Sequence, residues 1–168
     1  MFFIYRLATI FFFPLFVILI LFRILLKKED SKRYKEKIFK SISKNFKRDY
    51  ENLIWFHGAS IGEILSVKPL IKKFIREKNT KILITSVTTS SAEIIKKDFE
   101  KNKKIKHLYF PLDVPHLVDN FLKIFKPNLA VFIDSEIWPN FIYEIKKKKI
   151  PLVLINARIT DKTFNRWN

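Results

Sequence analysis

Five short apolar runs recur along this chain: LIWFH (53–57), KILITSV (81–87), IKHLYF (105–110), LAVFI (129–133) and PLVLIN (151–156). They are rich in β-branched and aromatic residues and mostly hydrophobic on both alternate positions. A strand with one wet face would alternate apolar and polar residues, so these runs read as strands covered on both sides. Between them lie helix-length amphipathic stretches, at about 62–78, 90–101, 115–125 and 137–148. Parallel strands need such crossovers, and the crossovers are right-handed. The pattern therefore predicts an α/β domain over 51–168, a Rossmann-like parallel sheet with helices on both faces. In the expected strand order 3-2-1-4-5 the direction of winding reverses between strands one and four, where sheets of this kind bind ligands.

The start of the chain is different. In FFIYRLATIFFFPLFVILILFRILLKK, residues 7–22 carry no charge, and only Arg6 and Arg23 interrupt 2–26. As one helix that span reaches across a hydrocarbon core of about 30 Å. Pro14 is expected to kink it. No small-residue cleavage site follows, so an uncleaved membrane anchor over 1–28 is preferred to a signal peptide, with an in-plane helix as the alternative. The cations Lys27, Lys28, Lys32, Arg33, Lys35 and Lys37 come directly after it. By the positive-inside rule they place the rest of the chain on the cytoplasmic side. Residues 29–50 are lysine-rich, with Ile38, Phe39, Ile42 and Phe46 at helical spacing. They are expected to form a basic amphipathic juxtamembrane helix, lying on the anionic leaflet, packed on the domain, or both.

A formal net charge of +17 attracts polyanions: anionic headgroups, phosphorylated substrates or nucleic acid. Nucleic acid is not the expected partner, because the basic residues are spread along the chain and no helix-turn-helix, RRM or zinc-finger signature is present. The chain has no cysteine, and its three histidines lack ligand spacing, so no metal site is expected. Neither G-x-G-x-x-G nor a Walker-type G-K-[ST] occurs, so no dinucleotide or triphosphate site of those kinds is expected either.

Both glycines of the chain fall in HGASIGE (57–63), between the first strand and its helix. Glycine there permits a positive φ or a close approach of backbone or ligand. Glu63 starts the helix, and Glu136 follows the fourth strand in DSEIWPN (134–140). On adjacent strand ends the two carboxylates would share one crevice. Each also has a structural explanation. Ser60-x-x-Glu63 is a capping box, Ser90-x-x-Glu93 has the same form on the next helix, and Glu136 suits a positive helix end. His57 is as well explained by packing or hydrogen bonding, Trp138-Pro139 by packing at a helix start, and Arg158 either reaches the cleft or lies on the surface.

HGASIGE, ITSVTTSS (84–91), HLYFPLD (107–113), DSEIWPN and VLINARIT (153–160), in that order and after an anchor followed by RYKEKI (33–38), resemble the bacterial 3-deoxy-D-manno-octulosonic acid (Kdo) transferases. The resemblance covers essentially the whole chain but only the front half of the family, whose members have two Rossmann-like domains in a GT-B arrangement. It implies an inverting glycosyltransferase that moves Kdo from CMP-Kdo to a lipid A precursor in lipopolysaccharide biosynthesis. The site of action would be the cytoplasmic face of the bacterial inner membrane, with no tightly bound cofactor. Glu63 falls on the family's general base and Glu136 on a second carboxylate that assists the transition state. Acceptor contacts are expected from His57, Gly58, Ser60, Gly62, Thr88 and Arg158. CMP-Kdo would be held by a C-terminal donor domain expected to lie outside this sequence, leaving the chain inactive by itself. Here Gly58 replaces a more usual Ala or Ser, DSE replaces ETE, and TTSS replaces a T-P-T-G pattern. A non-catalytic, membrane-anchored acceptor-binding remnant is the rival reading.

Overall fold

The structure, a computed structural model, describes residues 2–38, 50–99 and 101–157. The domain begins at β1 (Asn52–His57) and continues through α3 (Ile61–Ser66), α4 (Lys68–Ile75), β2 (Thr80–Ser86), α5 (Thr89–Phe99) and β3 (Ile105–Tyr109). It then runs through α6 (Pro115–Phe125), β4 (Leu129–Ile133), α7 (Pro139–Lys147) and β5 (Leu152–Ile155). All four strand pairings are parallel, in the order β3-β2-β1-β4-β5. This is the order expected from the sequence.

Alternation along the strands explains the two-sided core. Leu53, Trp55, Leu83, Ala130 and Phe132 point to one face, where they meet Val118, Phe121, Leu122 and Phe125 of α6 and Phe141 and Ile145 of α7. Ile54, Phe56, Ile82, Ile84, Val131 and Ile133 point to the other, against Ile64, Val67, Ile71, Ile95 and Phe99 of α3, α4 and α5. Burying both faces is what makes the strands read as near-continuous apolar runs.

Proline sets several helix starts. Pro115 and Pro139 open α6 and α7, where a missing N–H costs nothing. Pro69 does the same in α4 and accounts for one departure from expectation. The amphipathic stretch 62–78 is two helices rather than one, because proline cannot continue the preceding hydrogen-bond ladder, and the chain pauses at Val67.

The apolar start of the chain also differs from expectation. It forms α1 (Phe2–Phe11) and α2 (Phe13–Leu25), bent by 53° at their junction, and among the described residues no single helix is long and apolar enough to cross a membrane. Pro14, in the first turn of α2, supplies the break. Polar residues tie α1 to the domain. The Tyr5 hydroxyl donates to Asp113 at 2.8 Å, and Arg6 pairs with Glu144 of α7 at 3.2 Å. Asn140 of α7 donates to the Thr9 hydroxyl at 3.3 Å. The rings of Phe2 and Tyr143 add a contact at 4.8 Å between centroids.

After α2, residues 29–38 run as turns with one 3-10 turn at Tyr34–Glu36, and the remainder of the expected basic helix lies outside the described residues. This segment is fastened to the sheet by charge. Arg33 makes a two-pronged pair with Glu36 at 2.7 and 2.8 Å, and Glu36 accepts the Tyr109 N–H. Lys37 is buried, bonded to Glu29 and to the Val87 carbonyl, both at 2.8 Å.

Candidate active site

The reversal point lies between β1 and β4, and here the two strand ends are chemically joined. His57, last in β1, is fully buried. Its ring stacks on Phe110 at 3.6 Å between centroids. Its Nε2 lies 3.2 Å from Glu136 Oε2, and its Nδ1 lies 3.0 Å from the Thr85 hydroxyl on β2. Thr85 in turn accepts from the Trp55 indole at 2.9 Å. Nε2–H donates to the carboxylate, while Nδ1 faces both the Thr85 hydroxyl and, at 3.3 Å, the Thr85 carbonyl. A single buried hydrogen-bond chain thus runs Trp55, Thr85, His57, Glu136.

Glu136 receives a second donor on the same oxygen, the Trp138 indole at 2.7 Å. Burial works to raise its carboxyl pKa. The hydrogen bond and charge of His57 and the Trp138 donor outweigh burial, holding Glu136 below the usual carboxylate range. Its reach back toward β1 depends on Asp134, which takes φ of 58° directly after β4. Asp tolerates this left-handed conformation better than most residues do. The result is a half-buried carboxylate kept anionic at the mouth of the crevice.

Glu63 is placed differently. Its Oε2 accepts the Ala59 N–H and its Oε1 the Ser60 hydroxyl, each at 2.7 Å. Ser60 Oγ accepts the Glu63 N–H at 3.3 Å in return. The Ser60 cap on the Glu63 N–H is therefore formed, while the Glu63 carboxylate reaches the N–H of Ala59, one residue before the cap, so both Glu63 oxygens are engaged by its own turn. The second box does not form as written. Thr88 caps α5 instead, with its hydroxyl 2.6 Å from Ser91 Oγ and accepting the Ser91 N–H. Ser91 reaches on to the Ala59 carbonyl at 3.3 Å, which ties the Thr88 turn to the HGASIGE loop.

Neither glycine needs a positive φ. Gly58 answers to space. A Cβ there would stand 3.1 Å from each of Glu63 Cβ, Ile64 Cδ1 and Ile133 Cδ1. At Gly62 a Cβ would meet only Ser60 Oγ at 4.0 Å. So His57, Gly58, Ser60, Glu63 and Glu136 cluster at the reversal point, and Thr88 borders them through Ser91. Gly62 is only exposed backbone of α3, and Arg158 lies outside the described residues. Sequence reasoning missed Thr85 and Trp138 as hydrogen-bonding partners. Thr85 had left a trace, as a polar residue at a fully buried strand position paired in register with His57.

Residues 32–168 match the family described as 3-deoxy-D-manno-octulosonic-acid transferase (kdotransferase). A 3-deoxy-D-manno-octulosonic acid transferase of Rickettsia bellii is 37% identical over 155 residues, 92% of this chain and 36% of that protein. A bifunctional glycosyltransferase/methyltransferase of Fusobacterium nucleatum is 34% identical over 138 residues, 79% of this chain and 22% of that protein. A 3-deoxy-D-manno-octulosonic acid transferase of Haemophilus influenzae is 30% identical over 115 residues, 68% of this chain and 26% of that protein. In each case the match spans between about a fifth and just over a third of the relative's length. With its parallel five-stranded α/β domain and these matches, the chain belongs to the 3-deoxy-D-manno-octulosonic acid transferase family.

Proposed function

We propose that this chain is the acceptor-side part of an inverting transferase that moves Kdo from CMP-Kdo to a lipid A precursor in lipopolysaccharide core biosynthesis. The observation that carries the reading is Glu136, held anionic by His57 and Trp138 in the loop after β4, with Glu63 opening the helix that follows the neighbouring strand β1. A glucosamine hydroxyl of the acceptor attacks the anomeric carbon of Kdo. The bond from that carbon to the CMP phosphate oxygen breaks, CMP leaves with the electron pair, and Glu63 takes the hydroxyl proton. To do so Glu63 exchanges the Ala59 and Ser60 donors for the substrate hydroxyl, and catalytic hydrogen bonds commonly form only in the complex. Glu136, already ionised, faces the oxocarbenium-like charge of the transition state. CMP-Kdo is held by a second Rossmann-like domain outside this chain, completing a GT-B arrangement.

The same reading places the protein at the bacterial inner membrane with this domain on the cytoplasmic side. Phe3, Ile4, Leu7, Phe11, Ile18 and Phe22 are exposed along α1 and α2, and clustered exposed apolar side chains mark membrane or partner surfaces. The polar ties from Tyr5, Arg6 and Thr9 to α7 and Asp113 support in-plane insertion of the pair over a single pass. The chain lacks cysteine, so Ile4→Cys gives a clean topology probe. An impermeant maleimide applied from the periplasm leaves it unlabelled if the pair lies in plane and labels it if the helix crosses.

The activity test is Glu63→Gln in the gene product that carries this chain. Gln keeps the cap, so folding is expected to be unchanged while Kdo transfer falls by about 10²–10⁴-fold, the usual contribution of a general base. Wild-type rates in that variant would leave Glu63 as a cap, and an absence of Kdo transfer by the parent would refute the assignment.

A further inference from the structure

A cavity of about 420 Å³ lies between α2 and the loops that carry Thr88 and Trp138, within the ordinary size range of small-molecule sites. Phe16, Leu19 and Ile20 come down from α2, while Val87, Phe110 and Trp138 rise from the ends of the strands and the loops after them. The Trp138 indole that lines it is the donor to Glu136, so one wall of the cavity is the back of the candidate active site. One end is cationic, with Arg23, Lys28 and Lys37 at the close of α2 and the turn that follows. Glu29 lies between two of these, 2.8 Å from Lys37 and 3.5 Å from Arg23. Lys28 is exposed and pairs with no carboxylate among the described residues. On its outer side α2 exposes Leu15, Ile18 and Phe22, so the helix separates an apolar cavity from an apolar surface.

We propose that this cavity takes one acyl chain of the phosphorylated acceptor lipid, with the lipid phosphate at Lys28 and Arg23 and the acceptor hydroxyl brought to the carboxylate pair. The inference rests on the function proposed above and adds the place where the lipid is held. An apolar slot with a cationic mouth matches an amphiphile whose anionic group sits at one end of its chain. The wall shared with Glu136 argues for the acceptor over a bulk bilayer lipid, since the occupant sits next to the chemistry. The bend between α1 and α2 acquires a purpose: it lays α2 beside the active-site loops rather than out into the bilayer.

Trp138 provides the readout. The chain in detergent micelles is titrated with phosphatidic acid carrying brominated acyl chains, and Trp138→Phe supplies the emission of the other tryptophans. Saturable quenching of Trp138 is expected, with loss in Ile20→Phe, which fills the cavity from α2. In Lys28→Glu, which keeps the cavity, the half-quenching concentration is expected to rise roughly tenfold, the effect of losing one charge-assisted contact. Unchanged quenching in a folded Ile20→Phe overturns the proposal. So does equal quenching by brominated phosphatidylcholine, or complete competition by glycerol 3-phosphate, which has no chain. Should Ile20→Phe fail to fold, an unshifted Lys28→Glu titration overturns it alone. The two readings fail separately: absence of Kdo transfer sinks the proposed function with quenching intact, whereas absence of quenching sinks the cavity while transfer to a deacylated acceptor persists.

Discussion

His57 Nε2 and Glu136 Oε2 stand 3.2 Å apart, joining the last residue of β1 to the loop after β4 where the order of the sheet reverses. The Trp138 indole donates to the same oxygen of Glu136 at 2.7 Å. Removing either donor leaves burial, which favours the protonated form, with less to oppose it. His57→Gln and Trp138→Phe are each expected to move the Glu136 carboxyl upward. Carbon-13 NMR titration of the glutamate side chains measures this, and an unmoved resonance in both variants would remove the hydrogen bonds as the cause.

The glycines of HGASIGE should respond in opposite directions to alanine. At Gly58 the new methyl meets three carbons at 3.1 Å, and two of them, in Ile64 and Ile133, belong to the packed core. Overpacking of this kind costs about 1–3 kcal/mol. At Gly62, inside α3 with open space around it, alanine removes the backbone entropy cost of glycine and is expected to stabilise by about 0.5–1 kcal/mol. Urea unfolding of the two variants checks the sign of each.

The cap on Glu63 can be loosened without touching the carboxylate. Ser60→Ala deletes both the acceptor for the Glu63 N–H and the donor to Oε1. The loss of the N-cap is expected to lower stability by about 1 kcal/mol. Thermal unfolding monitored by circular dichroism reads that loss, and a change below about 0.2 kcal/mol would mean that Ala59 N–H alone holds the turn.

Much of this arrangement was legible in the sequence, and the reasons are physical. Strand positions and order followed from uninterrupted apolar runs, because a sheet covered on both faces leaves few positions for polar residues. The Ser60–Glu63 cap is local and was readable from spacing. The contact of Glu136 with His57 was not, because it depends on a left-handed turn at Asp134 and on partners contributed by three separate segments. Nor was the docking of α1. Tyr5, Arg6 and Thr9 are only small interruptions of an apolar run, and their partners Asp113, Asn140 and Glu144 lie more than a hundred residues away.

That docking predicts unequal effects for two arginines that look alike in the sequence. Arg6 pairs with Glu144, whose side chain is only 4% exposed, whereas Arg23 is 54% exposed and lies 3.5 Å from Glu29. Arg6→Ala strands a buried carboxylate, and because Arg6 itself is partly solvated the expected loss is about 2 kcal/mol rather than the larger values of fully buried pairs. Glu29 is equally buried but keeps Lys37 at 2.8 Å, so Arg23→Ala leaves no stranded carboxylate and is expected to cost less than about 1 kcal/mol. Hydrogen exchange should show faster opening of α1 amides in the first variant only.

His107 gives the fold a pH dependence of definite sign. Arg33 Nη2 lies 3.2 Å from Nδ1 and donates to the His107 carbonyl at 3.1 Å, while Nε2 lies 2.9 Å from Ser86 Oγ. The guanidinium can only donate, so Nδ1 must be the acceptor and the ring neutral. Burial first, and Arg33 second, push its pKa down to about 3 from the ordinary 6.5. The unfolded chain therefore binds a proton below pH 6.5 that the folded chain refuses until about pH 3. Stability from this group is complete above the unfolded value and drains away as pH falls through that window, by at most about 1.4 kcal/mol per pH unit before solvent screening. Asp113, raised chiefly by burial, has the opposite sign, so wild type alone gives a mixed slope. The difference between wild type and His107→Gln isolates the histidine. In urea unfolding the gap between them is expected to narrow or reverse between pH 7 and pH 5, and a constant gap would show that His107 does not titrate with folding.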